Sequence, residues 1–190
     1  LTMNKTALTL LQSVESILIP SMLMLYYNNS DTSLSMFGTL TGIVLPFIMF
    51  PNTLTGALST ILLPTISAAN AVTDQSSISK ITNKSITFCI FIGLLSSGLF
   101  LTFGRELGEI IFNSIESGTM LLYMAFLCPF IYTSSSLSSI INGLGKATTN
   151  LLYSIIAISI RLGFILFAIP VMGLSGYIIG LYISYALLII

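Results

Sequence analysis

Apolar residues run along this chain in long unbroken blocks rather than in alternation. The blocks cover residues 8–27, 36–66, 86–103, 119–141, 151–169 and 174–190, and short polar stretches separate them. A helix needs about 20 mostly apolar residues to cross the hydrocarbon core of a bilayer, so each block reads as a membrane-spanning helix. Strands of a membrane barrel would alternate lipid-facing and lumen-facing residues, and these blocks do not. The block 36–66 is too long for one straight span. It carries Pro46, Pro51 and Pro64, which predicts a kinked span whose end lies along the membrane surface. A polar linker, Ser67 to Ser85, follows it. The expected architecture is an all-α polytopic membrane protein of about six transmembrane helices, forming one lobe over 1–190.

Composition sharpens the class. Of 190 residues, 55% are hydrophobic and 6% are charged, there is no His, and the net charge is zero. Mean hydropathy is +1.02. A soluble domain carries about 25% charged residues, so too little charge is present to coat a globule in water. A nucleic-acid binder would need a basic face, and triads or metal sites built on imidazole have no residue to use. No carboxylate pair or cysteine cluster suggests catalysis, a metal or a cofactor. Cys89 and Cys128 sit in apolar runs and read as buried small hydrophobes. The chain starts at Leu1 and stops inside the apolar run 181–190, which reads as a piece cut from a longer protein.

Charge placement predicts an orientation. With the N-terminus cytoplasmic, Lys5, Lys80, Lys84 and Lys146 share the inner side. Arg105 falls outside with Asp31, Glu106, Glu109 and Glu116. The segment 104–112 then reads as an outer surface helix or re-entry turn.

Two charged residues fall well inside predicted spans, Glu15 in the first and Arg161 in the fifth. An unpaired charge at the bilayer centre costs at least about 2.5–3.5 kcal/mol, so both should face the bundle interior or a wet cavity. Counted from the cytoplasmic ends of their spans at about 1.5 Å per residue, their depths agree within a turn. A structural ion pair and a cavity site for an anionic group are both open readings. Uncharged polar residues (Ser13, Ser16, Ser59, Thr60, Asn142 and the run 133–139, with Ser134 and Ser135) gather toward the cytoplasmic half, with Ser96 and Ser97 as exceptions. They serve either close helix packing or a hydrated cavity.

Two look-alikes carry no function. Residues 142–147, Asn-Gly-Leu-Gly-Lys-Ala, lack the remaining residues and the preceding strand of a phosphate loop. The sequons at Asn4, Asn28 and Asn83 fall on both predicted sides of the membrane.

Several stretches read together resemble a known family: Ser13-Val-Glu-Ser-Ile-Leu-Ile-Pro20, Phe37-Gly-Thr-Leu-Thr-Gly-Ile-Val-Leu-Pro46, residues 50–67 from Phe-Pro-Asn-Thr to Leu-Leu-Pro-Thr-Ile-Ser, Asn142-Gly-Leu-Gly-Lys146, and Ile169-Pro-Val-Met-Gly-Leu-Ser-Gly-Tyr177. Together they resemble the stage V sporulation protein B branch of the oligosaccharide flippases. That branch lies within the superfamily that holds the multidrug and toxin extrusion (MATE) transporters. The resemblance implies a two-lobe parent of which this piece is the second lobe, with the first lobe as its partner. It implies a bacterial plasma-membrane location and alternating access that carries polyprenyl-pyrophosphate-linked sugars or peptidoglycan precursors. It also implies a role for Arg161 at the substrate's pyrophosphate. Glu15, Arg161, Ser134, Ser135 and Asn142 are the candidate substrate-binding residues. A cation-coupled drug exporter of the MATE type, and a non-transporting scaffold in envelope or spore assembly, are the alternatives.

Overall fold

The computed structural model describes residues 2–189, with side chains at 6 and 8–189. Lys5 and Asn4, on which part of the orientation and sequon readings fall, lie outside the described side chains. Leu1 and Ile190 lie outside the described residues.

All regular structure among the described residues is helical. In chain order the helices are α1 (Thr2–Tyr27), α2 (Ser30–Thr39), α3 (Leu45–Met49), α4 (Asn52–Ala71), α5 (Gln75–Phe112), α6 (Ile115–Met124), α7 (Cys128–Gly143), α8 (Ala147–Phe167), α9 (Ile169–Met172) and α10 (Leu174–Leu187). A π-turn, Leu40–Val44, joins α2 to α3, and a 3₁₀ turn, Ala125–Leu127, joins α6 to α7. Six stretches are long and apolar enough to cross a membrane: Leu8–Tyr27, Ser30–Met49, Asn52–Ala71, Gln75–Phe112, Ile115–Gly143 and Ala147–Phe167.

At five of the breaks in the helical path a residue has a positive φ. These are Asn28 (φ 51°), Thr73 (φ 55°), Asn113 (φ 48°), Gly145 (φ 79°) and Gly173 (φ 61°). Polar caps reopen the helices behind the first three. Asn29 Oδ1 accepts the Asp31 N–H at 2.9 Å, and Ser114 Oγ accepts the Ser117 N–H at 3.2 Å. Asp74 accepts the Ser77 hydroxyl at 2.6 Å and the Ser77 N–H at 3.0 Å. Those two bonds, the hydroxyl first, hold the Asp74 carboxyl below its usual 3.8. Because the folded-state value is depressed, the cap contributes above the ordinary carboxylate range and is lost as pH falls through the lowered value.

Three expectations change. The stretch 67–85 is not an extended linker, because helix continues to Ala71 and resumes at Gln75 behind the Asp74 cap. Residues 104–112 form no separate surface helix. They complete α5, since Gly104 and Gly108 let it close on α6; a Cβ on Gly108 would collide with Gly118. The last apolar block is helical only over Leu174–Leu187. At about 1.5 Å per residue, those 14 residues cover less than the hydrocarbon thickness.

Two compact units are present. One consists of the chain through Leu45 together with Leu151–Leu188, and the other of Pro46–Asn150. In the first, α1 packs on α2 and α9, and α9 on α10. In the second, α7 packs on both α4 and α5, and α5 on α6. Leu62 and Ile66 of α4, Ile78 of α5 and Ile140 of α7 form a core cluster there. Cys89 and Cys128 are buried and free.

Within the second unit, a side chain takes up a carbonyl that a proline releases. In a regular helix Ala125 O would accept from residue 129, but Pro129 has no N–H. Cys128 N–H and Ser97 Oγ, the latter at 2.6 Å, donate instead. Near Pro51, Tyr132 Oη donates to Ile48 O at 2.7 Å, while Phe47 O, the carbonyl that Pro51 releases, accepts the Phe50 N–H at 3.2 Å.

Candidate functional site

Glu15 and Arg161 meet inside the first unit. Arg161 Nη2 donates to Glu15 Oε2 at 2.9 Å, and the two side chains are only 13% and 8% exposed. A third residue completes the group: Tyr177 Oη donates to Glu15 Oε1 at 3.0 Å. Both carboxylate oxygens are thus occupied, one by a guanidinium and one by a phenol. The Tyr185 ring centre lies 6.0 Å from Arg161 Cζ, within cation–π range.

Small residues bring these groups together. Glycines on α10 allow close approach to α8 and the turn after it. A Cβ on Gly180 would stand 2.7 Å from Phe164 Cβ, and one on Gly176 2.7 Å from the Ala168 carbonyl carbon. Tyr177, between them in sequence, is thereby carried to the depth of Arg161. Gly173 sits against the Tyr26 ring of α1, where a Cβ would come within 2.8 Å. Its positive φ adds a second reason for glycine.

Beside the triad lies a cavity of about 180 Å³. Arg161, Gln12, Ser154, Ser184 and Tyr185 supply its polar wall, and Leu8, Ala157, Ile158 and Leu188 its apolar wall. Arg161 Nε is buried and has no hydrogen-bond partner. A guanidinium carries five N–H donors in a flat fork that matches an oxyanion, and the Glu15 bond uses only one nitrogen of it. The chemistry the cavity offers is cationic hydrogen-bond donation at depth, surrounded by hydroxyl, amide and aromatic groups.

The remaining candidate substrate-binding residues, Ser134, Ser135 and Asn142, belong to the second unit. Ser134 is buried and donates to Ile131 O at 2.8 Å within its own helix. Ser135, next to it, is half-buried. Asn142 accepts from Asn150 Nδ2 at 3.2 Å, and the same Nδ2 donates to Ser138 Oγ at 2.8 Å, so Asn142 helps tie the turn between α7 and α8. Ser13, Ser16 and Thr60 are exposed and bond back to Thr9 O, Gln12 O and Ala57 O. Ser59 is buried and bonds to Thr55 O. Thr133 Oγ1 and Ser136 Oγ are buried without a hydrogen-bond partner. Sequence reasoning found the acid and the base but missed Tyr177 and Tyr185. The available signal was a phenol inside an apolar helix, where a hydroxyl must find a partner.

Comparisons of the chain with protein families, with curated proteins and with solved structures return no match.

Proposed function

We propose that the chain is the lobe of a membrane transporter that moves a lipid-linked anionic substrate by alternating access. The substrate class is a polyprenyl-pyrophosphate-linked oligosaccharide or peptidoglycan precursor, and a second lobe of the same parent protein completes the path. The observation that carries the reading is Arg161, a largely buried side chain that has an unpartnered Nε and that lines a cavity between helices. A charge at such depth is costly to keep without a task, and pyrophosphate oxygens suit the donors that Glu15 leaves free. The sequence resemblance to the oligosaccharide flippases points the same way. In this reading the protein sits in a bacterial plasma membrane with the N-terminus of the chain cytoplasmic. The headgroup loads from the cytoplasm, and the two lobes rock around a midplane site.

A cation-coupled drug exporter is the second reading, favoured by Glu15, a carboxylate buried in a span. The deciding experiment uses the parent protein in proteoliposomes with a fluorescent polyprenyl-pyrophosphoryl sugar. Flipping should depend on the pyrophosphate headgroup and fall at least about tenfold, roughly 1.4 kcal/mol, in Arg161→Gln. Headgroup-independent flux, or export of cationic drugs instead, would overturn the flippase reading. The isolated chain, being one lobe, should transport nothing.

A further inference from the structure

In the second unit, α4 and α5 enclose an apolar groove with a cationic end. Its volume is about 480 Å³, within the range of small-ligand sites. Leu54, Ala57 and Ile61 of α4 and Phe88 of α5 line it and are exposed, and Leu58 behind them packs on the core cluster. Only Lys84 and Ser85 are polar in the lining, and the Ser85 hydroxyl is committed to Ile81 O at 2.8 Å. The two helices are joined by residues 72–74. Ile61 and Lys84 therefore mark the end of the groove near that turn, and Leu54 and Phe88 the end away from it. From Ile61 to Leu54 the groove follows α4 for about 10 Å.

The cationic end has no partner in the protein. Lys80 precedes Lys84 by one turn on the same face of α5, and both are exposed. Among the described side chains neither forms an ion pair. α4, across the groove, and α7 contain no acidic residue. Asp74 is engaged by Ser77 in its cap. Glu106 and Glu109 stand at least about 33 Å along α5 from Lys84, and α6 with Glu116 packs at that far end, where Gly118 meets Gly108. The apolar run of α5 begins at Ile86. A bilayer crossed by α5 thus meets Lys80 and Lys84 at the level of its headgroups and Phe88 at the level of its acyl chains.

We infer that this groove binds an anionic glycerophospholipid of the surrounding leaflet, with its phosphate at Lys84 and Lys80 and one acyl chain between α4 and α5. Charge complementarity selects the headgroup, because the counter-charge that the protein withholds is the one an anionic lipid brings. The lining offers no free hydroxyl or amide to read a sugar, so recognition is by charge and chain alone. That suits a bulk membrane lipid and not a glycosylated one. The inference rests on α5 crossing a bilayer, and it is independent of the anion site at Arg161, which belongs to the other unit.

Native mass spectrometry of the full chain tests this, with the chain released from micelles that hold equal amounts of phosphatidylglycerol and phosphatidylcholine with the same acyl chains. A lysine near an anionic headgroup contributes about fivefold in affinity. The native chain should therefore retain phosphatidylglycerol at least about tenfold over phosphatidylcholine, and Lys84→Gln should lower that ratio about fivefold. Ala57→Phe fills the groove and leaves both charges in place. It should reduce retained phosphatidylglycerol at least about fivefold. Equal retention of the two lipids by the native chain would overturn the inference, and so would a ratio unchanged in Lys84→Gln. Retention unchanged in Ala57→Phe would show headgroup attraction at an open surface and remove the acyl-chain groove. Displacement of phosphatidylglycerol by an equal amount of a polyprenyl phosphate would assign the groove to a polyprenyl lipid, which also overturns it. The two measurements on the native chain decide even if a variant fails to fold.

Discussion

Arg161 is held by Glu15, Glu15 by Tyr177, and each link constrains what a substitution does. Removing one partner of a buried ion pair strands the other charge, at a cost of about 3–5 kcal/mol. Removing both removes the stranded charge as well. Arg161→Leu should therefore destabilise the chain in detergent more than the double replacement Glu15→Leu with Arg161→Leu. The check is a thermal melt followed by helical circular dichroism. A double variant less stable than Arg161→Leu alone would show that the pair acts through its individual contacts and not through its charge balance. The pair was legible in the sequence because two charges inside apolar runs, at matched depth, are rare enough to be noticed. Tyr177 was not legible: in a hydropathy reading tyrosine counts as apolar, and what singles it out is the approach of α10 to α8 at Gly176 and Gly180. Ser134 and Asn142 were legible as polar residues in a span, yet their bonds run to Ile131 and Asn150, partners that no hydropathy profile identifies.

At the scale of elements, α5 and α7 show how prolines and glycines are placed together. Pro129 leaves Ala125 O without its ordinary helical donor, Ser97 supplies a replacement, and Gly93, one turn from Ser97, lets the two backbones touch. A Cβ on Gly93 would collide with the Pro129 backbone, which cannot swing aside as a side chain can. Gly93→Ala should cost about 1–3 kcal/mol or more. Gly98→Ala on the same helix, where a Cβ meets nothing within 4 Å, should be neutral or stabilising by up to about 1 kcal/mol. Parallel melts of the two variants test this, and equal stabilities would mean that α5 and α7 do not approach as described. Hydropathy located the apolar centre of each helix because it reports what lipid accepts. It missed helix in 67–71 and 75–85 because polar helix and polar loop score alike. The Asp74–Ser77 cap, a feature of backbone geometry, is what distinguishes them.

For the whole molecule, the number of crossings between Tyr27 and Gln75 decides which side of the membrane every later segment faces. Ser30–Met49 and Asn52–Ala71 are each long and apolar enough to span, so two crossings satisfy length and composition. The kinked-span reading of residues 36–66 predicts one. Pro51 stays right-handed helical at φ −65° and ψ −23°, and no residue from Ser30 to Ala71 has a positive φ. Around Pro51 the chain tightens instead: Phe50 N–H donates to Phe47 O, Thr53 N–H to Phe50 O and Leu54 N–H to Pro51 O. Such i→i+3 bonds mark a tightened turn at the proline. Asn52–Ala71 also has the lowest mean hydropathy of the six stretches, 1.2, as suits a helix that leaves the hydrocarbon along its length. One crossing keeps Lys80, Lys84 and Lys146 on the side of the N-terminus, in agreement with the positive-inside bias, whereas two would transfer them to the opposite face. Single cysteines at Ser30 and Ser76, both exposed, distinguish the cases through labelling with a membrane-impermeant maleimide, to which the buried Cys89 and Cys128 should be inert. One crossing predicts that only the Ser30 position labels from outside intact cells and that the Ser76 position labels after permeabilisation. If both label from the same side, the chain crosses twice between them and the orientation of everything after Gln75 is inverted.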